Sequence, residues 1–267
     1  MSLPDPEALA ATRTLAAWDR GEAIDRNLLP SPADTELAQT RQLRINALRV
    51  ARGERPVGYK IGFTNRTIWP IYNVHHPIWA PVWNTTLTQL DSPTTECSLK
   101  KFVQPRLEPE IVFGLRTSPI SAAPQAVFEA IDWIAHGFEI VQSPYPDWKF
   151  NAAEAIAAQS LHGALLVGPK KRRTEIADTW QAMASISLTL SLDGKQVAQG
   201  EASMVLDNPV CALGHLVEQL ALIDRQLQAG DVITTGTLTD AQVLSPDQTW
   251  RSTIHGAALD GLQLRTR

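Results

Sequence analysis

Residues 106–113 have the sequence Arg-Leu-Glu-Pro-Glu-Ile-Val-Phe, an apolar run that carries two carboxylates. Side chains alternate between the two faces of a β-strand, so Glu108 and Glu110 share one face of such a run. The opposite face is apolar and carries Leu107, Ile111 and Phe113. The run therefore predicts a strand over residues 107–115, with one face suited to a core and the other to chemistry.

The segments on either side mix helical and extended patterns. The first third of the chain shows apolar residues at spacings of three and four, which is typical of helices, and later stretches are short apolar runs between turn residues. Helices are predicted over residues 6–19, 33–52, 124–136, 152–161 and 208–222. Strands are predicted over residues 57–63, 78–82, 99–103, 107–115, 137–141, 164–167 and 186–192, with further short strands in 232–267. This pattern predicts an α+β fold.

Two local signals place element boundaries. Ser31 before Pro32 resembles a helix cap, so the second helix is expected to begin there. Asp193-Gly194, between an alternating run and Lys195, predicts a β-hairpin with a type I′ turn.

Composition narrows the class of protein. The chain has 267 residues, 44% apolar residues and a net charge of −4, which favours a globular domain and argues against a nucleic-acid-binding sleeve. No run approaches the roughly 20 apolar residues of a membrane helix. Residues 1–11 lack a signal-peptide pattern, and Cys97 and Cys211 fit no disulfide or zinc motif. We therefore expect a cytoplasmic protein that binds neither nucleic acid nor membrane.

The common cofactor and nucleophile motifs are missing from the sequence. It contains no GxGxxG, no Walker A loop, no HExxH and no GxSxG. Nucleotide-binding, zincin and serine-hydrolase interpretations therefore have no support.

The paired glutamates are candidate metal ligands. Two residues of strand span about 7 Å, so both carboxylates can lean onto one ion. Glu139, which lies between Phe138 and Ile140 in another predicted strand, is a third acid in a similar setting. A hard cation such as Mg²⁺ or Mn²⁺ would relieve their repulsion. The alternative stays open that Glu108 and Glu110 lie on a solvated sheet face and that Glu139 pairs with an arginine.

Lys60 is the second candidate. It lies between Gly58 and Gly62 in an apolar run, where desolvation lowers a lysine pKa and nearby carboxylates raise it. The alternative is a lysine that extends from the strand to solvent. Adjacent His75 and His76 would face opposite ways on a strand, so at most one of them reaches a pocket. The remaining histidines and Trp69, Trp79, Trp83 and Trp148 are interpreted as structural, with the other possibility that some of these histidines are solvated.

Five segments together resemble a known family. In chain order they are GYKIGFTN (58–65), LEPEIVF (107–113), FEIVQS with DWK (138–143 and 147–149), NP with Ala212 (208–212) and AGDVITTGTLT (229–239). They are similar to segments of the 2-keto-4-pentenoate hydratase / 2-oxo-3-hexenedioate decarboxylase family, within the fumarylacetoacetate hydrolase superfamily. The resemblance covers residues 10–267.

This resemblance implies a fold and a site. The fold would be a mixed β-roll with a helical N-terminal layer, divided into a mainly helical region with the lysine-bearing strand (1–80) and a β-rich catalytic domain (81–267). The site would hold Mg²⁺ or Mn²⁺ through Glu108, Glu110 and Glu139, with Lys60 acting in catalysis. Gln142, Lys149 and Thr237 would bind the substrate, a small 2-keto acid.

Two positions depart from the family pattern. Ile78 and Gln142 stand where the family usually has aspartates, so either His76 or a water would take over proton transfer, or the reaction differs. The implied activity is a hydro-lyase in aromatic-compound catabolism acting on a substrate such as 2-oxopent-4-enoate.

The resemblance leaves other functions open. They are decarboxylation of 2-oxo-3-hexenedioate, C–C hydrolysis of an acylpyruvate, for which no N-terminal His–Glu pair is found, and a non-catalytic metal-stabilised subunit. The resemblance also implies a homo-oligomer, with a complex between this chain and a related decarboxylase or hydratase as a further option.

Overall fold

The computed structural model describes residues 5–267, and the first four residues of the predicted N-terminal region lie outside that range. Its strands are β1 (Pro56–Gly62), β2 (Ile78–Trp83), β3 (Leu87–Gln89), β4 (Thr94–Cys97), β5 (Arg106–Leu115), β6 (Ile131–Val141), β7 (His162–Val167), β8 (Lys171–Arg172), β9 (Ser187–Leu192), β10 (Lys195–Glu201), β11 (Val232–Thr237), β12 (Gln242–Val243), β13 (Thr249–His255) and β14 (Gln263–Thr266). Its helices are α1 (Pro6–Arg20), α2 (Thr35–Ala51), α3 (Trp69–Tyr72), α4 (Pro124–Ala130), α5 (Ala152–Ala157), α6 (Arg173–Ile176) and α7 (Pro209–Ala221).

Two sheets share one core in the described part of the chain. The large sheet has the order β2-β1-β11-β5-β6-β7-β3, with β12 beside β5 and β8 beside β6, and the small sheet has the order β10-β9-β13-β14-β4. The apolar face of β5 packs into this core, where Leu107, Ile111 and Phe113 are fully buried together with Leu190 and Trp250 of the small sheet. The α+β class predicted from the sequence is confirmed.

The first two helices cover one end of the large sheet. Gln42 of α2 donates its side-chain amide to the carbonyl of Trp79 in β2, at 2.8 Å, and to the carbonyl of Ile156 in α5. The predicted cap at Ser31 is wrong. Asp34 caps α2 instead, because its carboxylate accepts a hydrogen bond from the Leu37 amide at 2.8 Å.

Two other predicted elements are also wrong. The helix over 124–136 ends at Ala130, and residues from Ile131 onward extend β6, because they pair with β5 from Leu115 to Arg106. Residues 99–103 form turns rather than a strand, although Leu99 and Phe102 are buried. Periodicity detects burial in both places but cannot show which backbone partner is available.

The predicted hairpin is confirmed. Asp193 and Gly194 both have positive φ, 49° and 84°, as a type I′ turn requires, and they join β9 to β10. Among residues 5–267, no helix is long and apolar enough to cross a membrane.

The division at residue 80 stays a prediction. In the structure this residue lies inside β2, and β1 and β2 belong to the same sheet as β11, β5 and β6. The lysine-bearing strand and the glutamate-bearing strands are therefore neighbours in one layer, which positions the candidate site.

Candidate metal-binding active site

Three carboxylates meet on the face of the large sheet that is turned away from the shared core. Glu108 and Glu110 lie on β5, and Glu139 lies on β6 directly opposite Glu108 in the antiparallel pair. One oxygen atom from each carboxylate lies within 4.8 Å of the others. Like charges on directly opposite residues, here Glu108 and Glu139, destabilise a sheet unless positive charge nearby compensates them.

One oxygen of Glu110 is fixed and the other is free. Its Oε2 accepts hydrogen bonds from the Thr234 hydroxyl and from the Gly236 amide, the latter at 2.8 Å. The register of β11 against β5 shifts between Thr234 and Thr237, and this irregularity allows both donors to reach the same oxygen. The Oε1 atom is buried and has no hydrogen-bond partner among the described residues.

Glu139 shows the same division. Its Oε1 is 2.8 Å from Nδ1 of His162 and 3.5 Å from Nζ of Lys60. Its Oε2 is buried without a hydrogen-bond partner in residues 5–267. Each of the two fully buried glutamates therefore has one oxygen that the described residues leave without a hydrogen-bond partner.

Lys60 is buried beside the carboxylates. Its Nζ donates to the carbonyl oxygen of Ser160 at 2.9 Å. That carbonyl belongs to a run of three left-handed residues, 159–161, with φ between 49° and 64°. A run of this kind is uncommon for residues with side chains and clusters at functional sites. Burial lowers the pKa of Lys60, but the carboxylates of Glu139, Glu108 and Glu110 outweigh it and raise that pKa above its usual value.

The three glutamates differ in how readily they hold a proton. Burial raises the pKa of Glu108 to about 7. Burial and the charges of its two neighbours raise the pKa of Glu110 well above its usual range. For Glu139, burial is outweighed by Lys60 and His162, and its pKa is lowered. Without a metal ion these shifts favour a proton on Glu110, as expected for carboxylates that share one site.

A cavity of about 280 Å³ opens beside Lys60 and Glu108. One wall is aromatic: the rings of Phe63 and Tyr72 stack with centroids 4.8 Å apart, and Tyr72 stacks on Phe150 at 5.5 Å. The remaining lining residues that matter for chemistry are Arg106, Thr237 and Asp240, together with the apolar Ile78.

Arg106, the first residue of β5, is a cation that lines the cavity. Its guanidinium carbon lies 4.1 Å from the ring centroid of Trp148, a close cation–π contact. The Nε atom is buried without a hydrogen-bond partner in the described part of the chain. The indole is thus a platform that holds an arginine at the cavity, which differs from the structural role expected for Trp148.

The structure brings five of the predicted site residues together: Lys60, Glu108, Glu110, Glu139 and Thr237. It places the other three elsewhere. His76 lines a separate cavity, where its ring faces that of His215 at 6.3 Å. Gln142 is buried and accepts a hydrogen bond from the Val103 amide at 2.9 Å, and Lys149 is exposed and pairs with Asp147 at 3.6 Å.

Three contributors to the site were not anticipated. Arg106 precedes Glu108 by two residues, so the alternation that pairs the glutamates could have identified it. Ser160 contributes only a backbone carbonyl, which no residue type reveals. His162 was interpreted as structural or solvated, and its contact with Glu139 depends on the pairing of β6 with β7.

Comparisons with known proteins identify the family of this chain. The model of the fumarylacetoacetate (FAA) hydrolase C-terminal family matches residues 72–260. A 4-oxalocrotonate decarboxylase of a Pseudomonas species is 30% identical over 213 residues, 79% of this chain and 79% of that protein. A 2-hydroxyhexa-2,4-dienoate hydratase of Comamonas testosteroni is 30% identical over 234 residues, 87% of this chain and 84% of that protein. The chain belongs to the FAA hydrolase C-terminal family, a family of enzymes.

Solved structures confirm the fold expected from the family resemblance. A 4-oxalocrotonate decarboxylase from Pseudomonas putida G7, complexed with magnesium and adipate, has a TM-score of 0.89 at 20% identity and covers 100% of this chain and 99% of its own. A fumarylpyruvate hydrolase from Pseudomonas aeruginosa, in complex with Mn²⁺ and pyruvate, has a TM-score of 0.61 at 15% identity over 79% of this chain and 89% of its own.

Proposed function

We propose that this protein is a divalent-metal-dependent hydro-lyase that adds water to a 2-keto-enoate or its 2-hydroxy-dienoate tautomer, as in the breakdown of aromatic compounds. Mg²⁺ or Mn²⁺ would be held by Glu108, Glu110 and Glu139. The observation that carries this proposal is the convergence of three carboxylates, two of which leave a buried oxygen without a hydrogen-bond partner.

The donor set fits a hard divalent ion. Carboxylate oxygens are the ligands that Mg²⁺ and Mn²⁺ prefer, and octahedral Mg²⁺ places its ligand oxygens about 3–4 Å apart. Oxygens that lie within 4.8 Å of one another need only a small movement to reach that spacing. The charge of the ion would also lower the pKa of Glu110, so all three carboxylates would be ionised when it is bound. Relatives of the same fold were solved with magnesium, calcium and Mn²⁺.

Lys60 would act on the substrate carbon chain. When bound, the metal ion supplies Lewis-acid chemistry that polarises the carboxylate and C2 oxygen of a 2-keto acid. Two acceptors, Ser160 O and Glu139 Oε1, hold the Lys60 ammonium in a fixed position at the cavity. An ammonium group there can give a proton to carbon as the double bond takes up water, and it can stabilise developing negative charge.

Ile78 removes one source of acid–base chemistry from the cavity. Ile78 and Lys60 both line the cavity, so an apolar side chain occupies a position from which an aspartate could have transferred a proton. His76 does not line this cavity, whereas Tyr72 and Asp240 do. We infer that Lys60 carries the proton transfer at carbon.

Decarboxylation of a 2-keto-enedioate is the second candidate, and Arg106 favours it. This guanidinium lies at the cavity and forms no ion pair in the described part of the chain. A guanidinium in that position is a partner for a second carboxylate, which a diacid has and a monoacid lacks.

Turnover of three substrates with Mg²⁺ or Mn²⁺ tests the assignment. Water addition to 2-hydroxypenta-2,4-dienoate, abolished by a chelator and restored by metal, is the expected result. Release of CO₂ from 2-oxo-3-hexenedioate would instead establish the decarboxylase, and pyruvate from acetylpyruvate would establish a C–C hydrolase. Failure to turn over any of them, with metal bound, would favour the non-catalytic subunit.

We further propose that the protein is a cytoplasmic homo-oligomer, and a complex with a related decarboxylase or hydratase is the alternative assembly. The family resemblance is the ground for the homo-oligomer, and an interface would cover exposed apolar side chains such as Ile71, Ile120 and Leu222, which are 74%, 91% and 76% exposed. Light scattering of the purified chain measures its molar mass, and a multiple of the 29.3 kDa chain mass would support the homo-oligomer. A chain that is monomeric alone and co-purifies with a related decarboxylase or hydratase would support the mixed complex.

A further inference from the structure

A continuous series of hydrogen bonds leads from β2 to Glu139. The amide of Trp83, the last residue of β2, lies 3.1 Å from the Thr86 hydroxyl. That hydroxyl lies 2.8 Å from Nε2 of His162, and Nδ1 of the same ring lies 2.8 Å from Oε1 of Glu139. His162 and Glu139 are almost completely buried, so no solvent competes for these bonds.

These contacts favour one tautomer of His162, because an ionised Glu139 can only accept a hydrogen bond. The Thr86 oxygen accepts from the Trp83 amide, which leaves the hydroxyl proton free for His162; the Trp83 carbonyl, at 3.2 Å, is the weaker alternative acceptor. With Nε2 as acceptor, the proton of a neutral imidazole lies on Nδ1 and points at Glu139. The histidine therefore donates to the carboxylate and fixes Oε1.

We propose that His162, itself supported by Thr86, is a positioning residue that holds Glu139 with Oε2 available as a metal ligand. This inference rests on the proposed metal-dependent function. Hydrogen bonds of this kind orient a ligand and are known to tune metal affinity. Glu110 provides an independent parallel, because Thr234 and Gly236 hold its Oε2 in the same way and leave Oε1 free.

Glu108 shows the contrast. In residues 5–267 its carboxylate accepts no hydrogen bond, and it lines the cavity directly. The site thus combines two ligands fixed by the protein with one that can adjust as ligands enter. Loss of His162 would leave Lys60 as the sole partner of Oε1, at 3.5 Å, and Glu139 could then rotate towards it.

Four variants of the full chain test the proposal through Mn²⁺ affinity, measured by calorimetry on protein stripped with a chelator. His162→Ala should weaken binding about 10- to 100-fold, the usual effect of a group behind a metal ligand. Thr86→Val removes only the supporting hydroxyl and should weaken binding less. His162→Asn keeps an N–H donor near the Nδ1 position and should recover most of the affinity.

Ser252→Ala is the matched control. It removes a hydroxyl that lies 2.8 Å from Nε2 of His136, another buried histidine of the large sheet. Nδ1 of His136 contacts the backbone carbonyl of Glu110 at 2.9 Å and no carboxylate oxygen, so this variant perturbs a buried histidine beside a metal ligand without removing a contact of its side chain. Its Mn²⁺ affinity should stay within about threefold of wild type, even if thermal stability falls as much as in Thr86→Val.

The positioning role would be overturned if Ser252→Ala and His162→Ala lost Mn²⁺ affinity equally. It would also be overturned if His162→Asn recovered no Mn²⁺ affinity relative to His162→Ala. Unchanged affinity in His162→Ala would also overturn it and would leave the proposed function standing. A wild-type protein that binds no Mn²⁺ would overturn both.

Discussion

Individual carboxylate oxygens, rather than whole residues, have separate tasks in this site. Glu110 and Glu139 each use one oxygen for protein contacts and leave the other unpaired and buried. An isolated buried charge is strongly unfavourable, so these residues are stable only if protonated or neutralised by a cation. The residue-scale predictions follow from this requirement.

Glu108→Gln should abolish metal binding while leaving the fold intact. The amide keeps the size of the side chain but removes one of three anionic ligands, so the affinity should fall by more than about 100-fold, the upper limit for supporting groups. Relief of repulsion with Glu139 should leave the metal-free protein at least as stable. Calorimetry with Mg²⁺ or Mn²⁺ measures the affinity, and retention of full affinity would refute the assignment.

Arg106→Gln should affect a diacid far more than a monoacid. A charged hydrogen bond contributes about 1.5–3 kcal/mol, so kcat/KM for 2-oxo-3-hexenedioate should fall about 10- to 100-fold. The value for 2-hydroxypenta-2,4-dienoate should change little. Arg106→Lys is the control for charge alone, and equal losses on both substrates would assign Arg106 to the support of Glu108 or Trp148 instead.

At the scale of elements, close approaches between strands build the site. Gly236 has φ of 117°, and a Cβ there would lie 2.1 Å from the Thr64 hydroxyl, so only glycine permits this end of β11 to approach residue 64. The same backbone segment turns its amide towards Glu110. The anchoring of a metal ligand therefore depends on an irregular strand end and not only on residue identity.

A buried ion pair joins the end of α2 to the segment that precedes β1 and predicts an acid-sensitive contact. Glu54 pairs with Nη1 of Arg49 at 2.9 Å, and it also contacts Arg52 and the Thr85 hydroxyl. Burial alone would raise the pKa of Glu54, but these partners outweigh burial and lower that pKa. Asp19 is the other acid of this group, through its ion pair with Arg52.

Glu54→Gln should therefore cost about 2–3 kcal/mol at pH 7, because it breaks charged hydrogen bonds and leaves Arg49 buried. A lowered native pKa means that the stabilisation is present above about pH 4.5 and is lost as the pH falls through the native value. Urea denaturation of both proteins at pH 7 and pH 4 should show the difference narrowing at the lower pH. An equal difference in unfolding free energy between wild type and Glu54→Gln at both pH values would contradict this interpretation.

At the scale of the whole molecule, the site joins strands that are distant in sequence. Its groups come from β1, β11, β5, β6 and β7, which are consecutive neighbours in the large sheet. An ion that binds at this junction stabilises the folded chain and has no comparable site in the unfolded one.

Saturating metal should consequently raise the thermal stability. At about 100 times its Kd, a ligand adds about 2.7 kcal/mol, which corresponds to a rise in Tm of about 5–10 °C for a chain of this size. Differential scanning calorimetry with and without Mg²⁺ or Mn²⁺ measures the shift. Glu108→Gln should show almost none, and an equal shift in that variant would indicate that the ions act elsewhere.

Local patterns determined a large part of this protein. The alternation in residues 106–113 was sufficient to place Glu108 and Glu110 on one face and Leu107 on the other, because a strand has a fixed period of two. Helix periodicity and turn chemistry likewise predicted α1, α2, α7 and the hairpin at Asp193-Gly194. These features depend only on neighbouring residues.

Tertiary structure decided the rest. Residues 131–136 became strand because β5 offered a hydrogen-bonding partner, and His162 became a contact of Glu139 because β7 pairs with β6. Gln142 turned to the Val103 amide and His76 to a different cavity for the same kind of reason. The direction of a side chain relative to distant residues depends on strand pairing and register, which are set by long-range packing and are not encoded in any local period.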